Sequence, residues 1–461
     1  MKRIPSFAAC LISLSLLINS FAQKETPPEG GTPKDFKLPE KKALTLKNNL
    51  NATLMQYGEL AKITVSVVVR AGNLNEAENE VWLADLTGNL IKEGTKTRSA
   101  EQLAREAASL GGVIEVSVGP DQTTVNSDVL SEFGPKLVEL LADVIQNPLL
   151  PPSEIERLKN DLIRQLSIEK AEQQSLAREK FRQHLYPDHP YGRIYPTEQM
   201  IQSYTIDNVG AFYENNFGAA RTHVYVAGRF NSKKMESAIR KAFENWKPGP
   251  DPLINVPRSV SKRAIHLIDR PDAKQSTVFI GLPVIDPSQK DYIPLQVTNA
   301  LLGGSFASRI TSNIRENKGY TYSPFSQVSS RYRDAYWVEV ADVTTDVTGP
   351  SLREIFYEID RLQDEPPVMQ ELKGIQNYMA GTFVLQNSSR GGIIGQMAFL
   401  NLHGLGDDYL TQYVQRVHGV TPEDIQTITK SYLRDDDMTI VIAGDRKKIY
   451  KQVANYGQVV N

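Results

Sequence analysis

Residues 205–229 read TIDNVGAFYENNFGAARTHVYVAGR, and residues 421–445 read TPEDIQTITKSYLRDDDMTIVIAGD. Each opens on Thr-x-acid (Thr205 to Asp207, Thr421 to Glu423), runs through a helical pattern and closes on an apolar strand ending Ala-Gly, at Ala227-Gly228 and Ala443-Gly444. The offset is 216 at both the helix start and the strand. A double proline before a helix recurs too, Pro151-Pro152 and Pro366-Pro367, at 215. A common offset across a helix, a strand and a proline pair marks a duplicated unit. Two tandem homologous domains follow, about 41–247 and 262–461, joined at 248–261 (PGPDPLINVPRSVS), whose prolines and polar residues suit an exposed linker. Two related domains joined in this way enclose a cleft.

Outward from the repeat, strand-like runs at 63–69, 224–227, 277–281, 337–343 and 438–443 alternate with helical patterns at 153–172, 233–246, 295–302 and 350–363. Interleaved strands and helices without a glycine-rich nucleotide fingerprint predict an α+β fold, with helices packed on mainly antiparallel sheets, the whole forming a half-clamshell. The 461 residues, 40% hydrophobic and 23% charged, are long enough for two or three cores and exclude disordered, collagen-like and polytopic membrane classes. Fifty-two basic against 54 acidic residues give a net charge of -2, which argues for neither nucleic acid nor an anionic membrane.

Residues 1–22 carry Lys2 and Arg3, an apolar run at 11–18 and Ser20-Phe21-Ala22 before Gln23, the pattern of a secretory signal peptide. Residues 23–40 are rich in Pro, Gly and charge and read as a flexible tether. The single cysteine, Cys10, lies in the leader, which leaves a mature chain without disulfides or thiolate chemistry. It follows Ala8-Ala9 as in a lipoprotein box, but with almost no apolar region before it, so the cleaved leader is the reading adopted. Export without cysteines points to a bacterial periplasm. No later stretch reaches the roughly 20 apolar residues of a membrane span.

The six histidines (His184, His189, His223, His266, His403, His418) include no i, i+4 pair of the kind that points two imidazoles at one metal. His184 and His189 flank a turn and read as structural. No G-x-S-x-G, P-loop or G-x-G-x-x-G motif supports a serine hydrolase, an NTPase or a dinucleotide enzyme. A helix is predicted over 75–93 (NEAENEVWLADLTGNLIKE), with Leu83, Leu86 and Leu90 on its core face and Asp85 and Asn89 on another, followed by Gly94-Thr95.

With these residues the chain resembles the pitrilysin family of metallopeptidases, the inverzincins, whose matching helix carries His-x-x-Glu-His before an apolar run and Gly-Thr. The resemblance spans nearly all of 41–461, through Phe36 to Pro39, Arg70-Ala71-Gly72, Leu140 to Asp143, Asn147-Pro148, Tyr186 to Gly192 and the 216-residue repeat. It places the family's two zinc histidines at Asp85 and Asn89, the water-activating glutamate at Gly88, and the last ligand, a glutamate 76 positions on, at Gln165. None of the four keeps its chemistry. Without imidazoles, a carboxylate ligand and a base, water cannot be lowered toward a pKa near 7. These positions are expected on the surface of a structural helix, with no metal on this chain.

In the second domain, Leu301 to Arg309 contains Gly303-Gly304 and leads through 310–318 to Gly319-Tyr320-Thr321-Tyr322. Phe306, Ile310 and Ile314 form a predicted apolar stripe, with Arg315 well away from Phe306 on the helical wheel and Gly319 suited to the position just past the helix. The resemblance implies that Arg315 and Tyr322 are the family's arginine and tyrosine pair, seven apart, which binds the scissile region of a peptide. A tyrosine hydroxyl donates to a developing oxyanion, and a guanidinium anchors backbone carbonyls. Gly303 and Gly304 are expected to let substrate backbone approach. A lost zinc half beside a retained Arg-Tyr half implies a noncatalytic, substrate-binding subunit of a heterodimeric periplasmic peptidase. A zinc-bearing sister chain with His-x-x-Glu-His is its expected partner. A peptide-binding or assembly scaffold without enzymatic role is the alternative.

Overall fold

The computed structural model describes residues 36–460, so the expected signal peptide 1–22 and the tether up to residue 35 lie outside the described residues. Twelve strands are described: β1 (Lys41–Thr45), β2 (Asn51–Gln56), β3 (Lys62–Val69), β4 (Glu115–Val118), β5 (Thr123–Leu130), β6 (Thr222–Gly228), β7 (Ala264–Asp269), β8 (Gln275–Val284), β9 (Phe325–Arg331), β10 (Asp334–Thr344), β11 (Thr439–Gly444) and β12 (Gln458–Val460). They form two six-stranded sheets, ordered β1-β2-β6-β3-β5-β4 and β12-β7-β11-β8-β10-β9. Strand for strand, β2-β6-β3-β5-β4 corresponds to β7-β11-β8-β10-β9, with the one internal parallel pair of each falling in the same place, β2·β6 and β7·β11. The edges differ: β1 is an antiparallel hairpin partner of β2, whereas β12 runs parallel to β7. The fold is α+β, two tandem copies of one domain.

The helices that bear on the site are α1 (Leu83–Leu90), α2 (Ile155–Ala171), α3 (Gln173–Leu185), α4 (Ile206–Asn216), α5 (Tyr292–Leu302), α6 (Met369–Gln386), α7 (Arg390–His403) and α8 (Pro422–Tyr432). The repeated threonines start α4 and α8. Thr205 and Thr421 each accept from the backbone N–H three residues on, while Asn208 and Asp424 accept back from the threonine N–H. These capping boxes satisfy donors that a helix start otherwise leaves open. The predicted helix over 75–93 is shortened. Trp82 has a left-handed backbone, φ 69°, which interrupts any helix before Leu83, and the Glu76 carboxylate reaches across the loop to accept the Ala84 N–H at 2.9 Å.

Each sheet is covered on one face by its own helices and on the other by a helix from the opposite half. In β3 and β6 the side chains of Val65, Val67, Val224 and Val226 belong to the first core. Their neighbours Val68, Tyr225 and Ala227 share a core with Ile393, Ile394 and Met397 of α7. The converse holds in the second sheet. Ile280, Trp337 and Ile440 face the second domain's own helices, while Phe279, Tyr336, Val338 and Val441 pack with Ala177, Phe181 and Leu185 of α3. This explains why β3, KITVSVVV, is buried at every position from Ile63 to Val69, whereas β5 nearer the edge alternates. Polar ties reinforce the exchange. Arg390 at the start of α7 grips Asp128 of β5 with bonds of 2.8 and 3.0 Å, and Gln174 donates to Asp342 at 2.6 Å. The linker 248–261 is mostly exposed, but Arg221 holds the Pro250 and Asp251 carbonyls, and the Val260 N–H donates to the Leu185 carbonyl at 2.9 Å.

Phe181 is 1% exposed, on a helix of one half and in a core of the other. Truncating a buried phenylalanine to alanine typically costs about 3–5 kcal/mol. Phe181→Ala is therefore expected to lower the unfolding free energy by about that amount while both halves still melt in one transition, read by calorimetry and by urea titration. Separate melting of the two halves would contradict the shared core.

Candidate functional site

Of the four first-domain positions singled out by sequence, two meet in a cavity between the halves, and Gly88 and Asn89 do not line it. Asp85 from α1 and Gln165 from α2 line it, with Trp82, Glu169, Arg178, Phe181 and Arg182 from the first half and Phe279, Phe325, Arg331 and Tyr336 from the second. Its volume is about 500 Å³. The expectation of a structural helix surface is thus corrected: Asp85 is half-buried, Gly88 is buried, and α1 forms part of a cleft wall. The reason is the cross-domain position of α3, which sets the second sheet close to α1 and α2.

Asp85 is engaged. Asn73 Nδ2 donates to Asp85 Oδ2 at 2.8 Å and to Glu76 Oε1 at 3.1 Å, bridging two carboxyl groups with one amide. Burial pushes the Asp85 carboxyl up to about 6, against an ordinary 3.8, although Asn73 favours its charged form. Burial, and then the charge of Asp85, push Glu76 up to about 8 from 4.5. Gly88, the position that the sequence resemblance matches to a water-activating glutamate, is packed on Val118 of β4; a Cβ there would lie 2.6 Å from Val118 Cγ2. Asn89 is half-buried and Gln165 exposed. Two amides and a carboxylate already held by Asn73 do not make a zinc site, and zinc coordination favours His, Cys and carboxylate donors. Among the described residues, no group of three or more His, Cys, Asp or Glu side chains is arranged to hold a metal ion. Histidines do other work: His184 of α3 stacks on His266 of β7, ring centroids 3.6 Å apart, and His223 meets Thr53 at 2.8 Å.

In the second domain Arg315 and Tyr322 do come together. Residues 311–317 wind as a π-helix, and Gly319 takes the left-handed conformation, φ 66°, just past its end, as its position after the helix predicted. The turn brings the Arg315 guanidinium 5.1 Å from the Tyr322 ring and 4.5 Å from the Phe306 ring. The helical-wheel expectation for Phe306 is corrected: residues 303–308 are turn rather than helix, so Phe306 leaves the Ile310 and Ile314 stripe, is 66% exposed and stacks on Arg315. Tyr322 is 79% exposed. Neither Arg315 nor Tyr322 lines the cavity between the halves. Gly303 and Gly304 answer to internal packing rather than to open space. A Cβ on Gly303 would lie 2.6 Å from Glu339 Oε2 and Ser326 Oγ, and one on Gly304 2.4 Å from Asn299 Nδ2. Glu339 is fully buried and neither carboxyl oxygen has a hydrogen-bond partner, so burial lifts it well above the usual carboxylate range.

The sequence reading missed Arg178, Arg182, Arg331 and Tyr336 as cavity residues. The signal available was slight: two arginines one helical turn apart on a helix that also buries Phe181 and Leu185.

A family model described as Insulinase (Peptidase family M16) matches residues 54–196, and another described as Peptidase M16 inactive domain matches residues 203–379. The chain belongs to peptidase family M16. Among M16 relatives, an uncharacterized zinc protease of Rickettsia felis is 24% identical over 69% of this chain and 77% of its own length. The M16 fold recurs in the crystal structure of a peptidase M16 inactive domain from Pseudomonas fluorescens, with a TM-score of 0.80, 20% identity and coverage of 88% of this chain and 98% of that one. A protease from Helicobacter pylori is similar at a TM-score of 0.82 and 21% identity, covering 88% of this chain and all of its own. Among the described residues of this M16 chain, no helix is long and apolar enough to cross a membrane.

Asp85 and Glu76 are both protonated more readily in the folded chain than when unfolded. Their contribution is intact below about pH 4 and is lost as pH rises through about 6 and then 8. Asp85→Asn removes one acid and the like charge that raises the other. The drop in denaturant midpoint between pH 5 and pH 8.5 should therefore be smaller in this variant than in the parent, and parallel pH profiles would exclude the coupled pair.

Proposed function

We propose that this M16 chain is a noncatalytic, substrate-binding subunit of a two-chain peptidase that degrades peptides in a bacterial periplasm, its sister subunit supplying His-x-x-Glu-His and zinc. The observation that supports this most directly is the packing at Gly88. The place for a water-activating carboxylate is closed by Val118, and the neighbouring Asp85 is tied to Asn73, while the cleft between the halves stays open and lined by both. A chain with a cleft but no group to activate water holds a peptide and leaves hydrolysis to a partner.

In this reading Arg315 and Tyr322 act on peptide bound across the two subunits. The guanidinium lies against Phe306 and Tyr322, which restricts its motion, and the exposed tyrosine leaves its hydroxyl available to donate. The test is a quenched-peptide assay of this chain alone, the sister chain alone and the mixture. Turnover is expected only in the mixture, and cleavage by this chain alone would refute the division of labour. Arg315→Ala and Tyr322→Phe are each expected to lower turnover of the pair by about tenfold or more, as loss of one oxyanion donor or anchor typically does. Size-exclusion chromatography should show the complex intact, and unchanged turnover would remove these residues from the site.

A further inference from the structure

The cleft carries more positive charge than its own carboxylates neutralise. Arg182 of α3 is 5% exposed and lines the cavity; it donates one N–H to the Tyr191 carbonyl, and its Nε has no acceptor. Arg331, at the end of β9, lines the same cavity from the other half. Its Nη1 donates to the Ser330 carbonyl at 2.7 Å and the Ser329 hydroxyl at 3.1 Å, and its buried Nε also lacks an acceptor. Their guanidinium carbons lie 5.6 and 5.8 Å from the centre of the Tyr336 ring. Neither forms an ion pair within 4.0 Å among the described residues. The acids whose charge reaches Arg331, Asp121 and Asp334, stand outside the cavity wall and offer it no direct bond: Asp121 accepts from the Tyr191 hydroxyl, and Asp334 from Tyr186 and Ser259.

A buried guanidinium facing a half-buried one across a shared ring is costly unless an anion joins them. Burial, followed by the charge of Arg331, weakens proton binding at Arg182, and the two arginines bring the Tyr336 phenol below its ordinary value although burial raises it. Arg178, one turn before Arg182, lines this cavity and the adjoining one that holds Arg270 and Lys274. A forked guanidinium matches a planar carboxylate in two-point contact. The remaining walls suit a peptide rather than a bare ion: Trp82, Phe181, Phe279 and Phe325 are aromatic, and Asp85 and Glu169, each with one oxygen engaged by neighbouring side chains, keep a second oxygen as an acceptor for amide N–H groups.

We propose that the cleft seats a peptide by a free carboxylate held between Arg182 and Arg331 beside Tyr336. This deepens the substrate-binding reading above and rests on it. The full chain is titrated by fluorescence anisotropy with a fluorescein-tagged hexapeptide, Ala-Phe-Ala-Ser-Phe-Ala, as free acid and as C-terminal carboxamide. The acid should bind about tenfold or more tightly than the carboxamide, the scale of a charge-assisted contact. Arg331→Gln should bring the acid to the carboxamide's affinity without changing the carboxamide's, and Arg182→Gln should do the same where circular dichroism shows it folded. A carboxamide with Glu in place of Ser separates the two sources of the carboxylate: recovered affinity assigns an acidic side chain, and no recovery assigns the chain terminus. Equal binding of acid and carboxamide, or a ratio that survives Arg331→Gln, overturns the proposal while leaving peptide binding standing. Failure of every peptide to bind overturns both.

Discussion

Apolar strand surface on both faces of a sheet has to be covered, and here each half covers the other. The outer face of the first sheet, with Val68, Tyr225 and Ala227, needs Ile393, Ile394 and Met397 of α7; that of the second, with Phe279, Tyr336 and Val441, needs Phe181 and Leu185 of α3. Burying such side chains is worth about 1.5–3 kcal/mol each, so neither sheet is stable with one face bare. The exchange fixes the angle between the halves by packing rather than by the linker. The linker merely follows, held by Arg221 and by Leu185.

The cleft is a by-product of that exchange. Because α3 leaves the first half to lie on the second sheet, the side chains on its flank, Arg178 and Arg182, stand between α1 and α2 on one side and β8, β9 and β10 on the other. At one end of this space stand a protonatable pair, Asp85 and Glu76, sharing Asn73, and a glycine sealed with Val118. The rest of the wall is a surface of fixed charges and rings.

Much of the architecture was legible because duplication writes itself into sequence twice. The Thr-capped helices α4 and α8 and the strands β6 and β11 that follow them carry the 216-residue register, and the apolar runs within β3 and β8 read as strands, though not as strands buried on both faces. Local backbone events were not legible. A left-handed Trp82 carries no side-chain signature, so the apolar pattern over 75–93 implies a longer helix than the one that forms from Leu83. Residues 303–308 form a turn where the wheel assumes a helix, and the π-helix at 311–317 rotates Arg315 off the wheel's positions, so Phe306 lies on Arg315 instead of on the core face. The arginines of the cleft were hidden for another reason: their neighbourhood is made by residues some 150 positions away, and no local pattern records that.

The exchanged helices also impose an order on biosynthesis. As the chain emerges amino end first, the first sheet can be complete by Gly228, yet its outer face waits for α7, whose residues 390–403 are made more than 150 positions later. Throughout that interval Met55, Val68 and Tyr225 face solvent, and a nascent or truncated chain ending before residue 390 presents a sticky β-surface. A protein built in this way keeps an apolar sheet face uncovered until about its last sixth arrives, and its partial products are prone to self-association.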